Sequence, residues 1–353
     1  FEVEVKAILS GGNGMNLYRG CTHGCIYCDA RSSCYQVHPD RPFEDIEVKR
    51  NAAELLEQAL RGKRKRCMIG TGGMSDPYLH LEKKLGLTRR CLELIDEYGF
   101  GVAIQTKSDL ILRDLDLLKR INRKTKCVVQ ITLTTYDEDL CRVIEPNVCT
   151  SGRRAEVLEI LRDEGIPTVC WMTPVLPFIN DTEENIRGLL EYCCRAKTYG
   201  ILTFGMGVTL RDGDRQYFYR KLDEHFPGLR ERYVKTYGDA YEVPSPNQAE
   251  LMKLLRRVCK EQGIVCDADE IFRYLSRFED KLAGTQMSLF DFAEETEEQK
   301  AQKQALQKEK QMQKAMLSIK QRYGKNAILK GMNALDFATA KKRNTLIGGH
   351  NAY

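Results

Sequence analysis

The segment NLYRGCTHGCIYCDARSSCY, residues 16–35, places three cysteines within eight positions. Cys21, Cys25 and Cys28 follow the spacing C-x3-C-x2-C, and Tyr27 precedes the last of them. Three thiolates this close in sequence can bind one soft metal centre from a single loop, and a set of three leaves a coordination position open. Because reactants bind at an open position, the segment predicts a reactive metal site.

The same spacing is compatible with a structural zinc site. Zinc needs a fourth ligand, which Cys34 or His23 could supply. Chance clustering is a third interpretation, because the chain contains 14 cysteines. The spacing by itself leaves these alternatives open.

Downstream of the cysteines, short apolar runs alternate with amphipathic helical stretches. The runs are apolar throughout, which is typical of strands buried on both faces of a parallel sheet with right-handed crossovers. The alternation favours a full or partial barrel over a doubly wound sheet, with the chemistry where strands end and loops begin. The predicted strands are 66–73, 100–107, 127–135, 167–176 and 200–208, and the predicted helices are 88–99 (capped by Thr88 and closed by Gly99), 109–123, 150–165 and 181–197.

Length and composition describe an ordinary globular protein. The 353 residues are 42% hydrophobic and 30% charged, which argues against wholesale disorder. No apolar run reaches the roughly 18–20 residues that cross a bilayer, and the first residues, FEVEVKAILSGG, lack the regions of a signal peptide. We therefore expect reduced or metal-bound cysteines, no membrane association and a cytoplasmic location.

Several separate motifs occur in an order that resembles one known family. The cysteine segment resembles the cluster-binding loop of the radical S-adenosylmethionine (SAM) superfamily, and the motifs together resemble its spore photoproduct lyase-like family over residues 1 to about 275. Against so many motifs in the right order, the zinc interpretation loses most of its weight. The further motifs are IGTGGMSDPY, IQTKSDLI, ITLTTYDEDLC, IEPNVCTSGRR, MTPVLPFINDTEEN, GVTLRDGDRQYFY and FPGLRERYVKTYG.

The resemblance implies an α/β fold, a partial (β/α)6 TIM-type barrel of the radical SAM type. It also implies a [4Fe-4S] cluster held by Cys21, Cys25 and Cys28, with SAM bound to the fourth iron. One electron from an external donor would cleave SAM to methionine and a 5′-deoxyadenosyl radical. In the photoproduct lyase this radical takes a hydrogen atom from a crosslinked thymine dimer. By resemblance, the chain is a carbon-carbon lyase that repairs a pyrimidine photoproduct or a related lesion in DNA.

The same matching implies further cofactor-binding residues. Gly72 and Gly73 occupy the place of the Gly-rich turn near the methionyl group of SAM, and Lys107 and Thr132 match positions that contact SAM. Without the resemblance, Lys107 could be a solvent-facing residue and Thr132 a buried strand hydroxyl. The other cofactor-binding predictions are Tyr27, Ser75, which could instead be a turn residue, and Arg211, which could belong to a solvated charged loop.

One position departs from the family pattern. The lyase returns a hydrogen atom to its product from a cysteine, and the aligned position here is Gly73, which has no thiol. Cys67, on the same predicted strand, is a candidate catalytic replacement, although a strand residue is more often part of the core. A tyrosine, Tyr27 or Tyr78, could quench the radical instead.

The composition changes after residue 282. All 14 cysteines lie before this point, and the net charge of +5 lies after it, where twelve Lys and Arg face seven Asp and Glu. We therefore divide the chain into a barrel domain, residues 1–282, and a tail, residues 283–353. Strong helix formers predict that the tail is mostly helical and partly disordered.

The tail carries a second resemblance. Its peptide QMSLF, with Gln286, Leu289 and Phe290, resembles the segment by which bacterial replication and repair proteins bind the sliding clamp. The whole tail resembles the C-terminus of bacterial Y-family translesion polymerases, which implies the clamp and damaged DNA as partners. Basic residues between Lys300 and Lys342, and the run RGKRKR at 61–66, could add attraction to phosphates.

Two other functions remain compatible with the sequence. The radical chemistry could act on RNA or on a protein side chain. Alternatively, the cluster could be structural in a non-enzymatic adaptor that works through its clamp peptide. Formation of 5′-deoxyadenosine distinguishes an enzyme from such an adaptor.

Overall fold

The computed structural model describes residues 1–35, 37, 41–282, 346–347 and 350–351. The chain divides into two units, residues 1–284 and 285–353. In the second unit, two short antiparallel strands at 346–347 and 350–351 are described. The predictions for Gln286, Leu289, Phe290 and the basic residues from Lys300 to Lys342 lie outside the described residues.

A six-stranded parallel sheet forms the centre of the first unit. Its six strands pair in the order in which they follow one another along the chain. They are β2 (Gly14–Met15), β5 (Met68–Thr71), β6 (Gly101–Thr106), β7 (Cys127–Thr132), β8 (Thr168–Trp171) and β9 (Gly200–Leu202). The first and last strands are not paired with each other within the described residues, so the sheet is a partial barrel. The α/β class and the parallel sheet predicted from the sequence are confirmed. The other strands of the first unit, which are not part of this sheet, are β1 (Glu2–Val3), β3 (Tyr18–Arg19), β4 (Glu47–Lys49), β10 (Gly207–Thr209) and β11 (Glu242–Pro244).

Helices connect the barrel strands and continue beyond the last of them. A 3-10 turn at Asp109–Asp114 opens the segment 109–123, which was predicted as one helix, and α4 (Leu115–Lys124) follows it directly. The helices are α1 (Ala52–Gly62), α2 (Glu82–Leu85), α3 (Leu87–Glu97), α4 (Leu115–Lys124), α5 (Glu138–Ile144), α6 (Ser151–Asp163), α7 (Glu183–Arg195), α8 (Asp214–His225), α9 (Leu229–Tyr237), α10 (Gln248–Gln262) and α11 (Ala268–Ser276).

Two local predictions are wrong. Thr88 lies inside α3 and does not cap it, because its hydroxyl donates to the C=O of Pro77 at 2.5 Å. The segment 200–208 is not one strand, because the chain turns at Gly205, where φ is +111°. The second part of this segment, β10, therefore leaves the barrel and pairs antiparallel with β11.

Both faces of the barrel strands are apolar, which explains the continuous apolar runs. β7 is buried along its whole length. One set of alternating residues, including Val129 and Ile131, packs in the main core with the surrounding helices. The other set, including Val128 and Val169, packs with Ile271 of α11. Each fully buried aliphatic side chain contributes about 1.5–3 kcal/mol to folding.

A separate apolar cluster holds the cysteine segment in place. Ile26 and Tyr27 pack with Phe218 of α8, Tyr233 of α9 and Val243 of β11. The elements that follow the last barrel strand therefore support the loop that follows the first one. In the described part of the chain, no helix is both long and apolar enough to cross a membrane.

Candidate active site

The cysteine segment follows β2, so it lies at the carboxyl end of the parallel sheet. The backbone N–H of Ile26 donates to the C=O of Ile144 at 3.0 Å. Gly24, between the first two cysteines, has φ of +72°, and a Cβ there would lie 3.1 Å from Pro146 Cγ. This tight turn favours glycine and fixes the loop against the residues that follow α5.

A cavity of about 740 Å³ opens beside these cysteines. Its walls come from the cysteine segment and from the carboxyl ends of β5, β6, β7 and β8, the edge where barrel enzymes collect their active sites. Its volume is within the roughly 300–1,000 Å³ of ligand pockets. The residues predicted from the sequence that line it are Cys21, Cys25, Tyr27, Cys28, Gly72, Gly73, Lys107 and Thr132.

Burial is the main influence on the pKa of each of the three thiols. It raises the pKa of Cys21 to about 12, and it also raises the pKa of Cys25 and of Cys28. Two backbone N–H groups oppose this shift by donating to sulfur, from His23 to Cys21 and from Ala30 to Cys28. N–H groups that point at thiolate sulfurs are one of the ways in which proteins tune iron-sulfur clusters.

The donor set fits a cluster held by thiolates. In a four-iron cluster each cysteine binds a different iron, so the sulfurs need not converge on one point. Among the described residues, no group of three or more His, Cys, Asp or Glu side chains is arranged to hold a single metal ion. The candidates for a fourth zinc ligand have other neighbours: Cys34 accepts from Arg211 Nη1 at 3.4 Å, and His23 Nδ1 lies 3.6 Å from Asp76 Oδ2.

Gly72 and Gly73 follow β5, and the lack of a side chain has a different structural consequence at each position. Gly72 has φ of +96°, and a Cβ there would lie 2.0 Å from the carbonyl oxygen of Gln105. A Cβ on Gly73 would meet no atom of the described chain within 4 Å, and Gly73 lines the cavity. The first glycine therefore permits the turn, and the second leaves room for a ligand to approach the backbone.

Asp76 ties the turn after β5 to the end of β6. Its Oδ1 accepts from the Thr106 hydroxyl at 2.7 Å, and its Oδ2 accepts from the backbone N–H of Lys107 at 2.8 Å. Ser75 is buried and donates its hydroxyl to the C=O of Gly20 at 2.6 Å. Ser75 therefore supports the cysteine segment and does not line the cavity.

Lys107 supplies a positive charge beside the cysteines. Its Nζ lies 5.8 Å from the centroid of the Tyr27 ring. Burial lowers the pKa of Lys107, but negative charge at Cys25 and Glu145 outweighs this effect and the net shift is upward. The ammonium group therefore stays charged, and it favours the thiolate forms of Cys25 and Cys28.

A buried ion pair braces Tyr27. The carboxylate of Glu145 accepts the Tyr27 hydroxyl and pairs with Arg154, and both charged side chains are fully buried. Arg154 also donates to the C=O of Thr132 at 2.7 Å. The pair was not identified from the sequence, although both residues lie in the quoted motif IEPNVCTSGRR.

Other predicted site residues lie away from the cavity lining. Cys67 precedes β5, and Tyr78 is buried with its hydroxyl donating to Asp114 at 3.1 Å. Arg211 donates to the Tyr241 hydroxyl at 2.7 Å, and Tyr241 itself is a lining residue. The run 61–66 begins with the last two residues of α1 and continues toward the amino end of β5, which is opposite the cysteines.

Several lining residues were not predicted. Their common feature is a position at the carboxyl end of a barrel strand, or just after it, and this feature could have identified them once the strands were assigned. They include Met74, Gln105, Thr106, Trp171, Thr173, Pro174 and Phe204.

Comparison with known proteins matches residues 15–225 to the radical SAM superfamily. An uncharacterized protein of Mycobacterium tuberculosis is 29% identical over 243 residues, which are 68% of this chain and 71% of that protein. An uncharacterized protein of Methanocaldococcus jannaschii is 32% identical over 170 residues, 48% of this chain and 62% of that protein.

Two solved structures of spore photoproduct lyase variants share the fold. One is 16% identical with a TM-score of 0.54, and the alignment covers 74% of this chain and 78% of the lyase. The other contains bound AdoMet and a dinucleoside spore photoproduct. It is 15% identical with a TM-score of 0.51, and the alignment covers 71% of this chain and 74% of the lyase.

Proposed function

This chain belongs to the radical SAM superfamily, and from that membership we propose that it is a lyase of the spore photoproduct lyase type acting on damaged DNA. The substrate is a pyrimidine photoproduct or a related lesion. The observation that carries this proposal is that the three cysteines and the ends of four parallel strands line one cavity. The family's cofactors are a [4Fe-4S] cluster and SAM.

When bound, these cofactors supply the one-electron cleavage of SAM to methionine and a 5′-deoxyadenosyl radical. Cys21, Cys25 and Cys28 hold the cluster through their sulfurs, and the reducing electron comes from an external donor. The protein's task is to bind and orient the reactants and to exclude water.

Residues around the cavity perform this task by position and charge. Gly73 leaves space beside the backbone for the methionyl part of SAM. Lys107 presents its ammonium group to the same region, where it can pair with the SAM carboxylate. Tyr27 is held by Glu145, so its ring has a fixed orientation next to the cysteines.

The source of the hydrogen atom returned to the product is part of the proposal. Among the earlier candidates, Tyr27 lines the cavity, whereas Cys67 and Tyr78 do not. We therefore favour Tyr27 over the other two. The Tyr27 hydroxyl would give its hydrogen atom, proton and electron together, to the product radical. This transfer leaves a tyrosyl radical beside Glu145, which the external electron donor and one proton would reduce back to tyrosine.

The link to DNA has two supports. A solved lyase of the same fold contains a dinucleoside photoproduct. The tail contains Gln286, Leu289 and Phe290 in the pattern of a sliding-clamp peptide. We propose that this peptide recruits the enzyme to the replication clamp, which would raise its local concentration near lesions.

Anaerobic reconstitution with iron and sulfide, followed by reductant and SAM, tests the proposal. We expect formation of 5′-deoxyadenosine, and product from ultraviolet-irradiated DNA but not from undamaged DNA or RNA. Cys25→Ala should abolish both the iron absorption and SAM cleavage. Cys34→Ala, a cysteine of the same segment outside the C-x3-C-x2-C spacing, is the matched control and should retain both.

Two outcomes would overturn the assignment. SAM cleavage with product from RNA or protein alone would identify a different substrate. An intact cluster that never yields 5′-deoxyadenosine would favour the non-enzymatic adaptor.

A further inference from the structure

A surface groove adjoins the cavity at Phe204. Phe204, Gly205 and Gln248 line both the cavity and this groove, which has a volume of about 490 Å³. Its far side is formed by α10 and by the start of α11, with Arg256 and Asp267 among the lining residues. The groove and the cavity are therefore direct neighbours that share these three residues.

Three aromatic rings cluster here. Trp171 lines the cavity, Phe204 lines both the cavity and the groove, and Phe272 packs against these two rings. The centroid of the Trp171 ring lies 6.1 Å from that of Phe204 and 6.4 Å from that of Phe272. The Phe204 and Phe272 rings are nearly parallel, at 20° and 6.3 Å. Phe204 is 68% exposed and Phe272 is 42% exposed. Large apolar rings clustered in the open at the mouth of a site indicate a binding surface.

The aromatic rings suit a ligand with flat rings, and the polar groups of the groove suit one that also carries negative charge. Arg256 is exposed and forms no ion pair within the described residues, so its guanidinium group can bind a phosphate. Gln248 offers an amide with both donors and an acceptor. The Asp267 carboxylate is already engaged, because it accepts from the backbone N–H of Glu270 at 2.8 Å and caps α11.

We propose that this groove binds single-stranded nucleic acid, with a base stacked on Phe204 and Phe272 and a backbone phosphate on Arg256. The inference rests on the proposed function, since it names how the strand next to the lesion is held. A base that reacts inside the cavity must leave the duplex, and its neighbours then lose their own stacking partners. Aromatic platforms with a nearby cation bind such bases whatever their sequence.

The chain contains a single tryptophan, Trp171, and it contacts both rings, which provides a binding signal independent of catalysis. We would titrate the full chain with a short thymidine oligonucleotide, without SAM or reductant, and follow Trp171 fluorescence. Phe204→Ala and Phe272→Ala should each weaken binding about five- to 150-fold, the range for loss of one base stack.

Three further variants test whether the aromatic ring of Phe204 is responsible for oligonucleotide binding. Phe204→Tyr keeps the aromatic face and should bind like the original chain, whereas Phe204→Leu keeps apolar surface without a π face and should bind like Phe204→Ala. Leu85→Ala removes a side chain that is 45% exposed and lies outside both the cavity and the groove. This variant should not change binding.

The salt dependence of the same titration tests the phosphate contact. Arg256→Gln should reduce the slope of log affinity against log salt by about 0.7, the value for one phosphate of a single strand. Arg257→Gln removes an exposed charge from the adjacent position of α10, which does not line the groove, and should leave this slope unchanged.

Unchanged oligonucleotide affinity in both Phe204→Ala and Phe272→Ala would overturn the proposal. So would a fluorescence response to an aromatic peptide but not to the oligonucleotide, which would identify a protein substrate. Failure of the proposed function is a separate result. Irradiated DNA could remain unrepaired while stacking is intact, or repair could proceed while both alanine variants bind normally.

Discussion

At the scale of single residues, Gly72 and Gly73 show how adjacent identical residues differ in role. The fold requires glycine at position 72, because its positive φ and the nearby Gln105 carbonyl exclude a side chain. Gly73 has open space where a side chain would be, and that space belongs to the cavity. One glycine serves the fold, and the other leaves room for the cofactor.

This difference predicts opposite outcomes for two alanine substitutions. Gly72→Ala should lower the free energy of unfolding by about 2 kcal/mol or more, through backbone strain and a close contact. Gly73→Ala should change it by less than about 0.5 kcal/mol but weaken SAM binding about tenfold or more, because its methyl group occupies the cavity. Thermal unfolding and calorimetric SAM titration measure the two effects. Normal SAM affinity in Gly73→Ala would contradict the assignment of this space to the cofactor.

The buried pair of Glu145 and Arg154 is the second residue-scale feature. Burial raises the pKa of Glu145, but the charges of Arg154 and Lys107 outweigh it and the net pKa is lowered. The carboxylate therefore remains ionised inside the protein. Each member satisfies the charge of the other and also bonds a second element, the cysteine segment on one side and the end of β7 on the other.

Removing one partner of this ion pair should lower the free energy of unfolding more than removing both. We expect Glu145→Leu or Arg154→Met to lower the free energy of unfolding by about 3–5 kcal/mol, because the charged partner that remains is buried without compensation. The double variant Glu145→Leu with Arg154→Met should lose less free energy of unfolding than either single variant. Urea unfolding of the cluster-free protein measures all three. Simple additivity in this double-mutant cycle would show that the pair is not coupled.

At the scale of elements, the site is assembled from the ends of strands and the starts of helices. α5 leads from β7 to the segment that contacts the cysteine loop, and Glu145 directly follows its last residue. The start of α5 is capped by Asp137, whose Oδ1 accepts from the backbone N–H groups of Asp139 and Leu140, both at 2.9 Å. A stable α5 is therefore needed to place Glu145 next to Tyr27.

Asp137→Ala should lower the free energy of unfolding by about 1 kcal/mol, the usual cost of losing an N-cap. Asp139→Ala, in the first turn of the same helix, is the matched control. Its side chain is 97% exposed and pairs with Arg142, so this change should cost less than about 0.5 kcal/mol. Thermal unfolding distinguishes the two, and equal costs would rule out the capping role.

At the scale of the whole molecule, chemistry and recruitment are assigned to different parts of the chain. The cysteines, the cavity and the groove all lie before residue 283. The proposed clamp peptide lies after it, in the second unit. Because the two features use no residue in common, they should be separable by substitution.

Replacing Leu289 and Phe290 with alanine should abolish capture of this chain by purified sliding clamp, since the two apolar side chains provide the docking contacts. Iron content and SAM cleavage should not change. Ser288→Ala, within the same peptide, serves as the control and should bind normally. Undiminished capture of the double variant would reject the clamp assignment.

The amino-acid sequence by itself determined the cysteine spacing, the alternation of buried strands with helices and the glycines after β5. These features are readable because each is set by neighbours a few positions apart along the chain. Only the tertiary structure decided that Cys67 and Tyr78 lie away from the cavity, that Glu145 meets Arg154, and that Phe204, Phe272 and Trp171 meet at its mouth. Such contacts join residues that lie far apart in sequence or on separate elements, so they depend on how the sheet curls and how the helices pack.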